Sequence, residues 1–397
     1  MLYDICVMSI NLTKEQIKRI IYVLIAILVV VISVLFFINN ELETAPVEEA
    51  ATEEPPIEES FTHSAWVSDH TAVKGIYVTG PTAGTERMGE IIQLINDTEL
   101  NAIVLDVKDD NGNITFDMNN EEVIATGACI PYIKDITALI KQLKENDIYV
   151  IARIPVFKDP TLAVARPDLA LFTDTGEPIT DSQGNAWVNP CKEEVWDYNI
   201  SIAETCCDLG FDEIQFDYVR FPVTSNSDSA AYGVELTDEE RGNYISSFLN
   251  RAANAIHEKD VPVSADVFGT IIKSEVDANR VGQDYQVLAT SVDVLCPMIY
   301  PSHYAAGEFG LDVPDAAPYE TVLAALDGSK KILLQIDENE CAVIRPWLQA
   351  FTATWVVGYI EYDGTAIRKQ IDAVKDAGYE EWILWNSKSV YSRDGLN

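Results

Sequence analysis

Histidine and positive charge are both scarce in this chain. Only His63, His70, His257 and His303 occur in 397 residues, and none of the seven cysteines belongs to a CxxC pair or a Cys/His cluster. Zinc frameworks need such spacings, and the lack of a paired-histidine motif also weighs against a metal-dependent deacetylase. Twenty-seven basic residues face 64 acidic ones, for a formal net charge of −37, which excludes nucleic acid as a partner. A dinucleotide-binding turn is missing as well: Thr79-Gly80-Pro81-Thr82-Ala83-Gly84 contains glycines, but Pro81 and the spacing break the GxGxxG pattern. The sequence implies no cofactor and no metal.

No lysine or arginine occurs between Arg19 and Lys74. Within that gap, Ile20 to Ile38 is apolar except for Tyr22 and Ser33, long enough to cross a bilayer. Lys14, Lys18 and Arg19 precede the run, so the positive-inside rule places residues 1–19 in the cytoplasm and the remainder outside. The run exceeds the ~7–15 residues of a signal-peptide core, and Asn39-Asn40-Glu41-Leu42 is a poor cleavage site, so residues 20–38 read as an uncleaved transmembrane anchor. Residues 39–73 read as an acidic Pro/Glu linker. Glu41 to Ser60 holds eight glutamates with Pro46, Pro55 and Pro56, a composition that resists folding and stays extended. Of the cysteines, six follow the anchor, which permits disulfides. Cys296 in an apolar run and Cys206-Cys207 on a helix read instead as buried thiols.

From Lys74 onward, β-rich runs alternate with amphipathic helices, the signature of a parallel α/β fold. The predicted strands are Gly75–Thr79, Ala102–Val107, Ile148–Pro155, the segment around Asp217, Val261–Phe268, Val292–Tyr300, Ile344–Gln349 and Glu381–Asn386. Lys331 to Ile336 competes for the seventh place. Helical stripes fall between them, including Ile136, Leu139, Ile140 and Leu143, and Tyr244, Phe248, Ala252 and Ile256 behind a capping box at Thr237 and Glu240. Eight strands joined by helices over this length favour a closed (β/α)8 TIM barrel for residues 74–397.

A barrel gathers the C-terminal ends of its strands on one face. Those ends carry Asp106, Lys108 and Asp109, then Arg153, then Asp217 and Arg220, then Asp266, Tyr300 and His303, Trp347 and Gln349, and finally Trp385 and Asn386. Aromatic faces beside carboxylates suit a pyranose ring. Glycoside cleavage needs two carboxyl groups, and Asp217 and Asp266 on adjacent strands meet that need, Asp217 as nucleophile kept ionised by Arg220 and Asp266 as acid/base. Asp106 competes for the acid role or holds substrate hydroxyls. Lys108, Arg153, Arg220, Tyr300, His303, Trp347, Gln349 and Trp385 are the expected substrate contacts. Asp109-Asp110-Asn111-Gly112-Asn113 looks like half of a calcium loop, but it lacks the first ligand and the closing glutamate and reads as a tight turn.

Seven segments carry a family resemblance: LDVKDDNGNITF (Leu105 to Phe116), ARIPVFKD (Ala152 to Asp159), GFDEIQFDYVRFP (Gly210 to Pro222), SADVFG (Ser264 to Gly269), CPMIYPSHY (Cys296 to Tyr304), RPWLQAF (Arg345 to Phe351) and WILWN (Trp382 to Asn386). Together they make the region resemble a family of glycosyl-hydrolase-like (β/α)8 domains, distantly similar to the alpha-amylase and alpha-galactosidase barrels. The resemblance implies a nucleophile at Asp217; its strand-five partner would be a glutamate, where this chain has Asp266. The expectation is therefore a membrane-anchored, extracytoplasmic, retaining glycosidase with a polysaccharide or oligosaccharide substrate. A catalytically silent glycan-binding barrel of the cell envelope is the alternative.

Overall fold

The computed structural model describes residues 70–337 and 339–397. The anchor expected at 20–38, its flanks and most of the expected linker lie outside the described residues; among those described, no helix is long and apolar enough to cross a membrane.

Among the described residues, eleven strands run in chain order: β1 (Lys74–Val78), β2 (Ala102–Asp106), β3 (Ile114–Phe116), β4 (Cys129–Ile133), β5 (Tyr149–Pro155), β6 (Glu213–Asp217), β7 (Val263–Phe268), β8 (Val294–Ile299), β9 (Val343–Ile344), β10 (Trp347–Gln349) and β11 (Trp382–Trp385). Nine of them form one sheet in the order β10-β11-β1-β2-β5-β6-β7-β8-β9, and a further pairing of β10 with β8 closes it. Every register in the sheet is parallel. Because β9 and β10 are two halves of one position, the result is the eight-stranded (β/α)8 barrel expected from the alternation.

The sequence dictates this through parity. Ile103, Leu105, Ile214, Phe216, Leu295 and Leu384 face outward into the layer shared with the helices. Tyr77, Val104, Ile151, Cys296, Trp347 and Ile383 fill the interior. Both faces are buried, as parallel strands wrapped by helices require, and burying each large aliphatic side chain contributes about 1.5–3 kcal/mol. The longest helices, Glu193–Leu209 and Asp238–His257, flank β6 on either side in the chain. The second of them begins at the reciprocal capping box of Thr237 and Glu240.

Two departures from expectation stand out, in the β2–β5 connection and in strand seven, while the described cysteines take the thiol state that the sequence left open. Between β2 and β5 the chain makes an excursion through β3 and β4, which form a two-stranded sheet of their own, Ile114 of β3 also bridging Lys108. Strand seven falls at residues 343–349 but breaks at Arg345-Pro346, and Lys331 to Leu333 ends a helix instead. Cys129, Cys191, Cys206, Cys207, Cys296 and Cys341 are all free thiols.

Candidate active site

The strand ends meet as parity requires, and their chemistry centres on Arg153. Its guanidinium donates to Asp217 Oδ2 from Nε (2.9 Å) and Nη2 (2.5 Å), to Asp106 Oδ1 from Nη1 (2.7 Å) and to Asp110 Oδ1 from Nη2 (2.8 Å). It also lies 5.5 Å over the ring of Tyr77, whose hydroxyl donates to Asp106 Oδ2. One cation thus serves three carboxyl groups, and the excess negative charge favours the neutral form of one of them. Asp106 is the one that burial shifts that way. Burial pushes its carboxyl up to about 7 against the lowering pull of Arg153.

Asp217 stands at the last position of β6, paired in register with Pro155. The next residue, Tyr218, has φ +52°, a left-handed conformation that a bulky side chain rarely adopts. That turn takes the chain out of the barrel wall immediately after the carboxylate. Tyr218 is held there by its hydroxyl to Asp110 Oδ2 (3.3 Å), by Lys158 4.9 Å over its ring and by an edge contact with Trp187.

Asp266, on β7, is 1% exposed and accepts a 2.6 Å hydrogen bond from Trp347 Nε1. Burial first, and then the negative charge of Asp217, hold its carboxyl well above the ordinary range. Asp217 and Asp266 line the same cleft, of about 800 Å³, together with Asp110, Arg153 and Arg220. The opposite wall is aromatic: Tyr300 and Trp385 lie 5.8 Å apart, and Phe351 meets Trp385 edge-on at 5.3 Å. His303 joins this wall, 5.2 Å from Tyr300.

Some expected contacts sit elsewhere. Lys108 is fully buried away from the cleft, bonded to Asp159 Oδ2 (2.6 Å) and Asn199 Oδ1 (2.8 Å) and lying over Tyr198. The reason is local. Val107 N and Lys108 N both donate to Arg153 O, so strand alternation stops at Asp106 and Lys108 turns toward the helix behind. Arg220 lines the cleft without bonding Asp217: it is boxed by Trp187 (4.7 Å), Phe268 (4.6 Å) and Tyr218 (5.4 Å) and donates to Phe221 O. Arg153 is the cation that holds Asp217. Trp347 lies beneath the cleft and touches it through Asp266, and Gln349 is spent on Asp315 Oδ1 (2.9 Å), Phe351 O and Ser302 N. Asp106 lies one step behind Arg153 and does not line the cleft.

Sequence reasoning missed Asp110, Tyr218, Phe268, Phe351 and Trp355. Asp110 was hidden inside the turn, yet Asp109 alone makes that turn, accepting from Asn111 N and Asn113 N at 2.9 Å each. This leaves Asp110 free to face Arg153.

The pattern of a protein family described as "Putative glycosyl hydrolase domain" matches residues 75–391. Among solved structures, a hypothetical protein from Ruminiclostridium thermocellum ATCC 27405 is 35% identical over 48% of this chain and 97% of its own, with a TM-score of 0.44. The PgaB (BpsB) glycoside hydrolase domain from Bordetella bronchiseptica is 16% identical over 80% of this chain and 95% of its own, with a TM-score of 0.59, a likeness of fold. No curated protein sequence matches.

Proposed function

The chain belongs to that glycosyl hydrolase domain family, and from this premise we propose that it cleaves a polysaccharide with the pair Asp217 and Asp266. As a member of the family it is a glycosidase-type enzyme with a carbohydrate substrate. The observation that carries the assignment of roles is the contrast between the two carboxyls of one cleft. Asp217 receives two hydrogen bonds from a buried guanidinium, while burial and then the charge of Asp217 push the carboxyl of Asp266 well above the ordinary range, toward the acid form.

In the proposed reaction Asp266 donates its proton to the glycosidic oxygen as the bond to the anomeric carbon breaks. Asp217 attacks that carbon from the other side, giving a glycosyl ester. Water deprotonated by Asp266 then displaces Asp217 and releases the sugar with its configuration retained. Arg153 orients Asp217, and Trp347 orients Asp266. The domain works outside the cell, held at the membrane by residues 20–38.

The test is a glycan panel assayed with wild type, Asp217→Asn and Asp266→Asn. Both substitutions should lower kcat by on the order of 10³. Asp266→Asn should lose far less on aryl glycosides, whose leaving groups need no proton. NMR of the first-formed anomer reads retention. Undiminished hydrolysis by Asp217→Asn would sink the assignment, and glycan affinity without turnover by wild type would favour the binding barrel.

A further inference from the structure

We propose that the segment 350–362, which follows β10, is an outer sugar-binding subsite on which Trp355 stacks a pyranose ring, so that the substrate is a glycan chain laid across the cleft. This deepens the carbohydrate reading of the cleft and rests on it.

Trp355 is 67% exposed and yet lines the same cleft as Asp217 and Asp266. One face of its indole is stacked on Phe351, with centroids 5.9 Å apart and planes at 17°. The exposure therefore belongs to the other face. Phe351 in turn meets Trp385 at 5.3 Å and Tyr300 at 6.1 Å, so an unbroken aromatic wall runs from the carboxylates out to Trp355. A single sugar bound at the carboxylates and against Trp385 leaves Trp355 uncovered, because Phe351 stands between the two indoles. A chain continuing outward covers it.

The platform is held in place before anything binds. Ala350 N donates to Trp385 O (3.0 Å) and Asn386 Nδ2 to Ala350 O (2.6 Å), while Tyr362 N donates to Thr352 Oγ1 (3.1 Å). Buried Asp315 takes Ile360 N on Oδ2 (3.3 Å) and the Tyr362 hydroxyl on its backbone oxygen (3.0 Å), and Gln349 fixes that aspartate in turn. An exposed aromatic ring with a pinned backbone loses little entropy on binding, which is the property of a preorganised contact. Val357 and Tyr359 are exposed nearby, and a protein partner could use such a patch. Continuity with the carboxylate cleft selects the glycan.

The test starts with native affinity electrophoresis of the full chain through chitin, cellulose, xylan and peptidoglycan. Calorimetry follows, with oligosaccharides of the retained polymer from disaccharide to octasaccharide and with Asp217→Asn to prevent turnover. Affinity should rise with chain length. Adding Trp355→Ala should weaken the longest oligosaccharide about tenfold while leaving the disaccharide unchanged, and Trp355→Phe should recover part of the loss. In the active enzyme, Trp355→Ala should raise KM for the polymer at unchanged kcat. Equal affinity of the Trp355→Ala protein for long oligosaccharides overturns the subsite, as does an equal loss for short and long, or retention by none of the polymers. Trp355-dependent binding without hydrolysis by wild type would remove the hydrolase reading and keep the subsite. Asp217-dependent hydrolysis indifferent to Trp355 would do the reverse.

Discussion

Asp106 sits where one guanidinium is shared among three acids, and burial pushes its carboxyl up to about 7. That assignment has a pH signature. In the unfolded chain its carboxyl ionises near 3.8, and in the folded protein near 7. Between those values the native state holds a proton that the unfolded state has released, so this group makes stability fall as pH rises through the window. Below the lower value both states are protonated, and above the upper one both are ionised, so the contribution is level on either side. Asp106→Asn keeps an acceptor for Arg153 and abolishes the titration. Urea midpoints measured at half-unit steps across the window should decline less steeply for the variant than for wild type, by at most about 1.4 kcal/mol per pH unit. Parallel curves would mean that Asp106 is ionised throughout and that another group relieves the charge.

At the scale of the element, the seventh strand matters most, because its break at Arg345-Pro346 inserts a charged side chain into the closed end of the barrel. Arg345 is fully buried, with Nη1 2.7 Å from Glu213 Oε1 at the start of β6 and Nε 2.6 Å from Glu381 Oε2 just before β11. Glu381 also takes His70, at the entry to β1. The network ties several strands together at the face opposite the cleft, where barrels keep stability and not chemistry. Arg345→Met takes the guanidinium from Glu213 and Glu381, which keep Tyr149 and His70 as partners, and should cost about 3–5 kcal/mol in chemical denaturation. The triple variant Arg345→Met, Glu213→Gln, Glu381→Gln should recover most of that. A single-variant loss below about 1 kcal/mol would show that the cluster is not a structural tie. From sequence, RPWLQAF located this strand, and runs such as AIVLD and YVIARIP located others, because both faces are apolar and the helices between them are strongly striped. β3 and β4 left no such trace, β3 because it is only three residues long and β4 because it is half exposed. The cleft was legible only as far as period-two alternation holds. It placed Asp217, Asp266 and Arg153, misplaced Lys108 beyond the shift at Val107, and said nothing of Asp110 or Trp355, whose positions come from loop hydrogen bonds.

For the whole molecule, 64 acidic against 27 basic residues give a large excess of negative charge, a long-range field that an anionic ligand must enter. Among the cations that line the cleft, Arg153 is saturated by carboxylates and Arg220 is boxed by rings, which leaves the exposed Lys388 to meet an anionic sugar. Long-range repulsion adds to that deficit for a polymer, whose many charges approach the surface together, and it is screened over about 10 Å at 0.1 M salt. The consequence is selection among glycans by charge. Turnover of a neutral polysaccharide should be flat as sodium chloride is raised across the physiological range and beyond. A uronic-acid polymer should be processed poorly at low salt, and its kcat/KM should improve several-fold as screening increases. A partly deacetylated amino-sugar polymer should show the opposite slope. Steady-state rates on three such polymers at matched chain length decide the matter, and a polyanion cleaved fastest at the lowest salt would show that Lys388, the exposed cation lining the cleft, outweighs the acidic excess of the chain.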